Sequence, residues 1–221
     1  MPQVADREAS ALVPALRRWQ AQRLERTYAD LRADERYAQA AQFFLSDLYG
    51  DADFAERDRQ VRKAYPLIEK ALPKAALAPI ADALELHALS AELDEKLCAV
   101  LVGELGVKAR VTDALYAEGY RLCRNRAKRL RQIALIISVG KDLDRIVAKP
   151  LIYGMLKLAR RPAHSVGLGE LQDFLERGFL AFRRMAGAEA FLQTIERRET
   201  LILERLFAGK PRPFELPPGA K

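Results

Sequence analysis

The chain has 221 residues, half of them hydrophobic and 30% charged, with a formal net charge of +7. Such a composition excludes a disordered polyelectrolyte, and the length is enough to bury a core without disulfide or metal staples. Two cysteines, Cys98 and Cys123, exclude a disulfide scaffold and paired CxxC zinc spacing, and the longest nearly unbroken apolar run, Ile133 to Val139, is far short of the ~20 residues a membrane-spanning helix needs.

The opening residues MPQVADREAS hold no apolar stretch of signal-peptide length, so a cytoplasmic location with reduced thiols is expected. Ala, Leu, Arg and Glu recur, and nowhere do apolar and polar residues alternate over six positions. The predicted fold is therefore all-α: a single bundle of about eight helices with no sheet, over residues 1–209. The Pro-rich residues 210–221 read as an extended tail.

The first helix is predicted from Glu8 to Leu31, with Leu12, Leu16, Trp19 and Thr27 tracing one face. A second follows from Asp34 to Tyr49 and stops at Gly50. Asp53 opens a third, with Glu56 completing a capping box, and it runs to Leu72 across Pro66. The fourth spans Ala75 to Glu104. Thr112 caps a long fifth helix reaching Val147, bending at Gly119 or Gly140. After Pro150 a short helix covers Leu151 to Arg160, Pro162 to Gly169 is read as the main internal loop, and helices over Glu170–Met185 and from Gly187 to Phe207 complete the chain.

Charge is segregated between neighbours. Residues 75–105 hold six acids and one base, whereas residues 106–131 hold eight bases and two acids. At 100° per residue Arg121, Arg124, Lys128 and Arg131 share one side of the fifth helix, opposite an apolar arc. This basic amphipathic face is the candidate partner-binding surface, suited to phosphates, acidic lipid headgroups or, as the favoured partner, an acidic protein. The competing structural reading is that the acidic fourth helix folds back antiparallel and neutralises part of it. Nucleic acid is not an expected partner, because no aromatic residues interleave the basic stretch and no RNP or zinc-finger motif occurs.

Arg126 falls inside the apolar arc between Leu122 and Leu130, where a guanidinium requires a carboxylate or a bound anion. It reads either as a buried salt bridge to Asp82 or Glu85, or as the anchor of an anionic ligand. His87 is paired with it as the second candidate ligand-binding residue, the one residue through which haem ligation is conceivable. No Glu-x-x-His spacing, nucleophile elbow, dinucleotide loop or calcium loop occurs, so no catalytic residue, metal site or cofactor is expected. The stretch from Ile146 to Arg161, where Lys149, Lys157, Arg160 and Arg161 flank Leu151, Ile152, Met155, Leu156 and Leu158, carries a third reading as a membrane-surface helix, against a core helix with a solvated edge.

Five segments resemble a bacterial family of unknown function found mainly in proteobacteria: QFFLSDLYG at 42–50, DFAERD at 53–58, ADALELHALSAELD at 81–94, RQIALIISVG at 131–140 and LQDFLERGFLAF at 171–182. The resemblance covers Tyr37 to Phe214. It implies an all-α cytoplasmic protein and carries no catalytic residues over. The expected function is thus a non-enzymatic interaction or regulatory protein docking an acidic partner. The alternative is a helical bundle binding a small anionic or apolar molecule, or haem, with Arg126 and His87 in its pocket.

Overall fold

The computed structural model describes residues 2–45, 59–60, 63–64 and 74–217, with the backbone alone for 2–6 and 74–80. Among these residues there are nine helices and no strand, as the periodicity requires. They are α1 (Pro2–Thr27), α2 (Ala29–Ala33), α3 (Ala38–Phe43), α4 (Lys74–Gly103), α5 (Asp113–Leu122), α6 (Arg126–Val147), α7 (Pro150–Ser165), α8 (Gly169–Met185) and α9 (Glu189–Phe207). The predicted stop at Gly50, the helix over 53–72 and its Asp53–Glu56 capping box lie outside the described residues.

The long fifth helix is a correction. Thr112 caps its start as expected, its Oγ1 accepting from the Leu115 N–H at 3.3 Å. The helix nevertheless ends at Leu122 and a new one begins at Arg126. Arg124 between them is left-handed, with φ 49°. Neither Gly nor Pro marks the break, so a periodicity argument runs straight across it. A second correction concerns Pro162, which sits inside α7 rather than opening a loop. Proline forfeits one helical hydrogen bond, and Pro162 does so in the last turn of α7, which ends at Ser165.

Helix α6 is the hub, packing against α4, α7, α8 and α9, while α1 packs on α4 and α3 on α8. Two close approaches depend on glycine. A Cβ on Gly140 of α6 would lie 2.4 Å from Leu192 Cδ2, and one on Gly178 of α8 would lie 2.8 Å from the Phe43 ring. The core divides into two apolar clusters. One gathers Leu24 of α1, Tyr28 at the start of α2, Ile136 of α6, Phe182 of α8 and Leu192 and Ile195 of α9. The other gathers Leu12, Leu16 and Trp19 of α1, Leu97 and Leu101 of α4 and Ile202 of α9. Helices α1 and α9 contribute to both, and between their two contributions each carries polar residues: Gln20 and Arg23 on α1, Arg198 and Glu199 on α9. A polar layer thus separates the clusters.

The described part of the tail folds back on the bundle. Phe214 packs edge-on against Trp19 with ring centroids 5.2 Å apart, and lies 5.9 Å from Tyr116. Arg205 of α9 donates to the carbonyls of Glu215, Arg212 and Pro211, satisfying main-chain acceptors of a segment with no helical partner.

Candidate functional site

The break at 123–125 places Arg121 and Arg124 on a different segment from Lys128 and Arg131. Most of the four have intramolecular partners. Arg131 makes a two-pronged pair with Glu85 of α4, at 2.7 and 2.6 Å, and Lys128 pairs with Glu92 of the same helix. Arg121 pairs with Glu118 one turn back. The order Glu85–Arg131 and Glu92–Lys128 shows that α4 runs antiparallel to α6, with acids facing bases. Hydrogen bonding from Arg131 holds the Glu85 carboxyl below its usual range. These pairs are about half exposed and contribute little to stability. What they do is cancel much of the charge an acidic partner was expected to read.

Arg126 and His87 do not share a pocket. Arg126 is 52% exposed and pairs with Glu204 of α9, not with Asp82 or Glu85. Its placement in the apolar arc assumed one continuous helix. In the structure it opens α6, in the first turn and at the edge of the buried face. His87 is exposed on α4. Asp82 accepts from Ser138 at 2.6 Å. Among the described residues no group of three or more His, Cys, Asp or Glu is placed to hold a metal.

Two other regions stand out. The first is α7, in which no residue is buried. Ile152, Tyr153 and Leu156 rest on the bundle, yet Leu151, Met155 and Leu158 face outward and are 80%, 63% and 81% exposed. The helix is tied to α8 by Arg160, which pairs with Asp173 at 3.1 Å and with Glu176. Gln172 of α8 adds a bond to the Leu156 carbonyl at 2.7 Å. No helix among the described residues is long and apolar enough to cross a membrane.

The second region is the polar layer, which borders a partly open cavity of about 70 Å³. Its polar lining includes Gln20, Arg23, Tyr28, Arg129, Gln132 and Glu199. Arg23 donates to Glu199 Oε1 at 2.6 Å, and the Tyr28 hydroxyl donates to the same oxygen at 2.7 Å. Arg129 is only 4% exposed, with its guanidinium 4.6 Å from the centre of the Tyr120 ring. No carboxylate lies within ion-pair distance of it among the described residues. Its hydrogen bonds are long, 3.3 Å to Gln132 Oε1 and 3.5 Å to the Leu93 carbonyl. Burial pushes the hydroxyls of Tyr28, Tyr116 and Tyr120 up, so all three stay neutral donors. Burial opposes the charge on Arg23, and Glu199 outweighs that opposition.

The sequence reading missed Arg23 and Arg129 although both carry a signal. Arg23 continues the stripe Leu12, Leu16, Trp19 with helical spacing and sits between Trp19 and Thr27. Arg129 heads the series Arg129, Ile133, Ile136, Gly140 on α6. Counting from 121 through a helix that does not exist drew attention to Arg126 instead.

No curated protein and no solved structure matches the chain. Residues 2–213 match a family described as Domain of unknown function (DUF8198), in keeping with the resemblance read from the segments above. With nearly its whole length matched, the chain belongs to that family of unknown function.

Proposed function

We propose that this chain is a non-enzymatic cytoplasmic interaction protein that docks an acidic amphipathic helix of a partner protein on the outer face of α7. The observation that carries this reading is the exposure of Leu151, Met155 and Leu158 on a helix with no buried residue. Their i, i+4, i+7 spacing forms the stripe that a helix in a groove or on a face uses. Covering three such side chains yields on the order of 5–9 kcal/mol before the cost of association.

Charge chooses the occupant. At 100° per residue Lys157 and Arg161 flank the stripe on one side only, and Lys149 stands at its start. Lys149 and Arg161 form no ion pair among the described residues, unlike Lys128 and Arg131 of α6. A partner helix laid along the stripe brings its acidic side to that flank. A bilayer touches both flanks alike, which a one-sided arrangement does not favour. An antiparallel second copy would set these cations against their own images. The free, buried thiols of Cys98 and Cys123 suit a reducing compartment, and burial pushes the Cys98 thiol up to about 12, which keeps it inert.

The test is titration of the full chain with a fluorescent peptide built as a Glu-rich helix with leucines at i, i+3, i+4 and i+7. Binding is expected to weaken with salt, to be lost in the Leu151→Gln/Leu158→Gln variant, and to survive Arg121→Gln. Binding that is absent, insensitive to salt or unchanged by the α7 variant would refute the proposal. Co-sedimentation of the chain with anionic vesicles in place of peptide binding would reassign the face to a membrane surface.

A further inference from the structure

Arg129 and Arg23 present an electrostatic imbalance. Each is more than nine-tenths buried or nearly so, at 4% and 9% exposure, and both line the 70 Å³ cavity. The Nε of each guanidinium is buried and has no hydrogen-bond partner among the described residues. Glu199 serves Arg23 and Tyr28 and is the one carboxylate among the described residues that line the cavity. Two buried cations thus share one hydrogen-bonded carboxylate at a partly open cavity, an arrangement that burial penalises unless a further negative group compensates it. Asp94, the next acid in the layer, accepts from Gln20 at 2.9 Å and lies 3.9 Å from Arg17. It acts on Arg129 through space, without an ion pair or hydrogen bond to it among the described residues.

We propose that this cavity binds a small monocarboxylate, its oxygens held by the Arg23 and Arg129 guanidiniums and its alkyl end against Ile133, Ile136 and Ile195. The charge requirement is one negative unit, which a carboxylate meets and a phosphate dianion exceeds. Guanidinium is the side chain that matches a planar two-oxygen anion, with two parallel N–H donors. Of the neutral tyrosines on the same wall, Tyr28 spends its proton on Glu199, while the Tyr116 and Tyr120 hydroxyls supply donors without adding charge. Apart from Gln20, Gln132 and Glu199, the rest of the lining is apolar, with Leu24, Ile133, Ile136 and Ile195 beside the rings of Phe44 and Phe214, which suits a short hydrocarbon end. Size is also limiting: a cavity of about 150 Å³ takes benzene, so roughly half that volume takes an acetate- or propionate-sized molecule. Phe214 forms part of the wall, so the returning C-terminal segment covers the site and stands where a ligand would enter.

The experiment uses the full chain and sodium acetate, sodium propionate, sodium phosphate and sodium chloride at matched ionic strength. Thermal unfolding is expected to shift upward with acetate and propionate beyond the chloride control. Isotope-filtered NMR is expected to show contacts from the acetate methyl to the Ile133 and Ile136 methyls, which locates the ligand without any variant. Arg129→Met, an apolar replacement of similar length that should fold, is expected to weaken acetate binding by at least ~10-fold, the loss of one charge-assisted hydrogen-bonded contact. No carboxylate effect beyond chloride, or no methyl contacts, would overturn the proposal. A response to phosphate without one to acetate would overturn the carboxylate assignment. The peptide experiment on α7 is independent of this result, because the two surfaces share no residue.

Discussion

Gly140→Ala tests the packing on which the polar layer depends. Gly140 lies on the face of α6 that meets α9, and the added methyl would stand 2.4, 3.2 and 3.4 Å from Cδ2, Cδ1 and Cγ of Leu192. Normal carbon contacts are about 3.5–4.0 Å, so the nearest is short by more than an ångström. Leu192 is 2% exposed within the cluster of Ile136, Phe182 and Ile195, and it has no open side to turn to. Overpacking of this kind costs roughly 1–3 kcal/mol, and the severity here argues for the upper end. Against it stands the gain of about 1 kcal/mol from replacing Gly by Ala within a helix. The expected net effect is a loss of about 1–2 kcal/mol, read as a lower urea midpoint with unchanged slope. A double-mutant cycle isolates the contact. Leu192→Ala alone should cost about 2–5 kcal/mol, and the double variant should recover at least about 1 kcal/mol relative to additivity, since the new methyl then fills vacated space. A stabilised Gly140→Ala, or strict additivity, would show that α6 and α9 do not pack as described.

Three further outcomes follow from the polar layer and its cover. Asp30 binds Arg198 through two bonds of 2.8 and 2.6 Å, and these hold its carboxyl below the usual range. A lowered folded-state pKa contributes stability above the unfolded value near 3.9 that is lost as pH falls through the lowered one. Asp30→Asn should therefore flatten the acid limb of the stability curve below about pH 4 and, because Asp30 is 46% exposed, cost only about 1 kcal/mol at neutral pH. Asp94 shows the opposite sign: burial holds its carboxyl above the usual range, so its contribution is favourable in acid and is lost as pH rises through the raised value. Asp94→Asn should be neutral or stabilising by up to about 1 kcal/mol at pH 7, with the difference vanishing near pH 3, as measured by chemical denaturation at both pH values. Phe214→Ala should cost about 1–2 kcal/mol through its two aromatic contacts and raise acrylamide quenching of Trp19, the single tryptophan of the chain.

Sequence alone determined the class of fold, most helix positions and the opposition of acids and bases. Leu12, Leu16 and Trp19 recur at the spacing that only a helix buries, and Thr112 has the side chain that an N-cap demands. These are local effects, set by neighbours within a turn or two. The break at Arg124 was illegible because a left-handed arginine carries no compositional mark and the apolar spacing continues on both sides. Which arginine turns inward was likewise decided in three dimensions. The phase of α6 is set by its contacts with α4, α8 and α9, so Arg126 reaches Glu204 in the open while Arg129 is sealed beneath Leu93 and Tyr120. Glu85 and Glu92 meeting Arg131 and Lys128 is a matter of helix order in space, which charge counts along a chain leave undetermined. The cavity between the two clusters exists only where α1, α6 and α9 come together, because a buried charge gains its meaning from residues more than a hundred positions away.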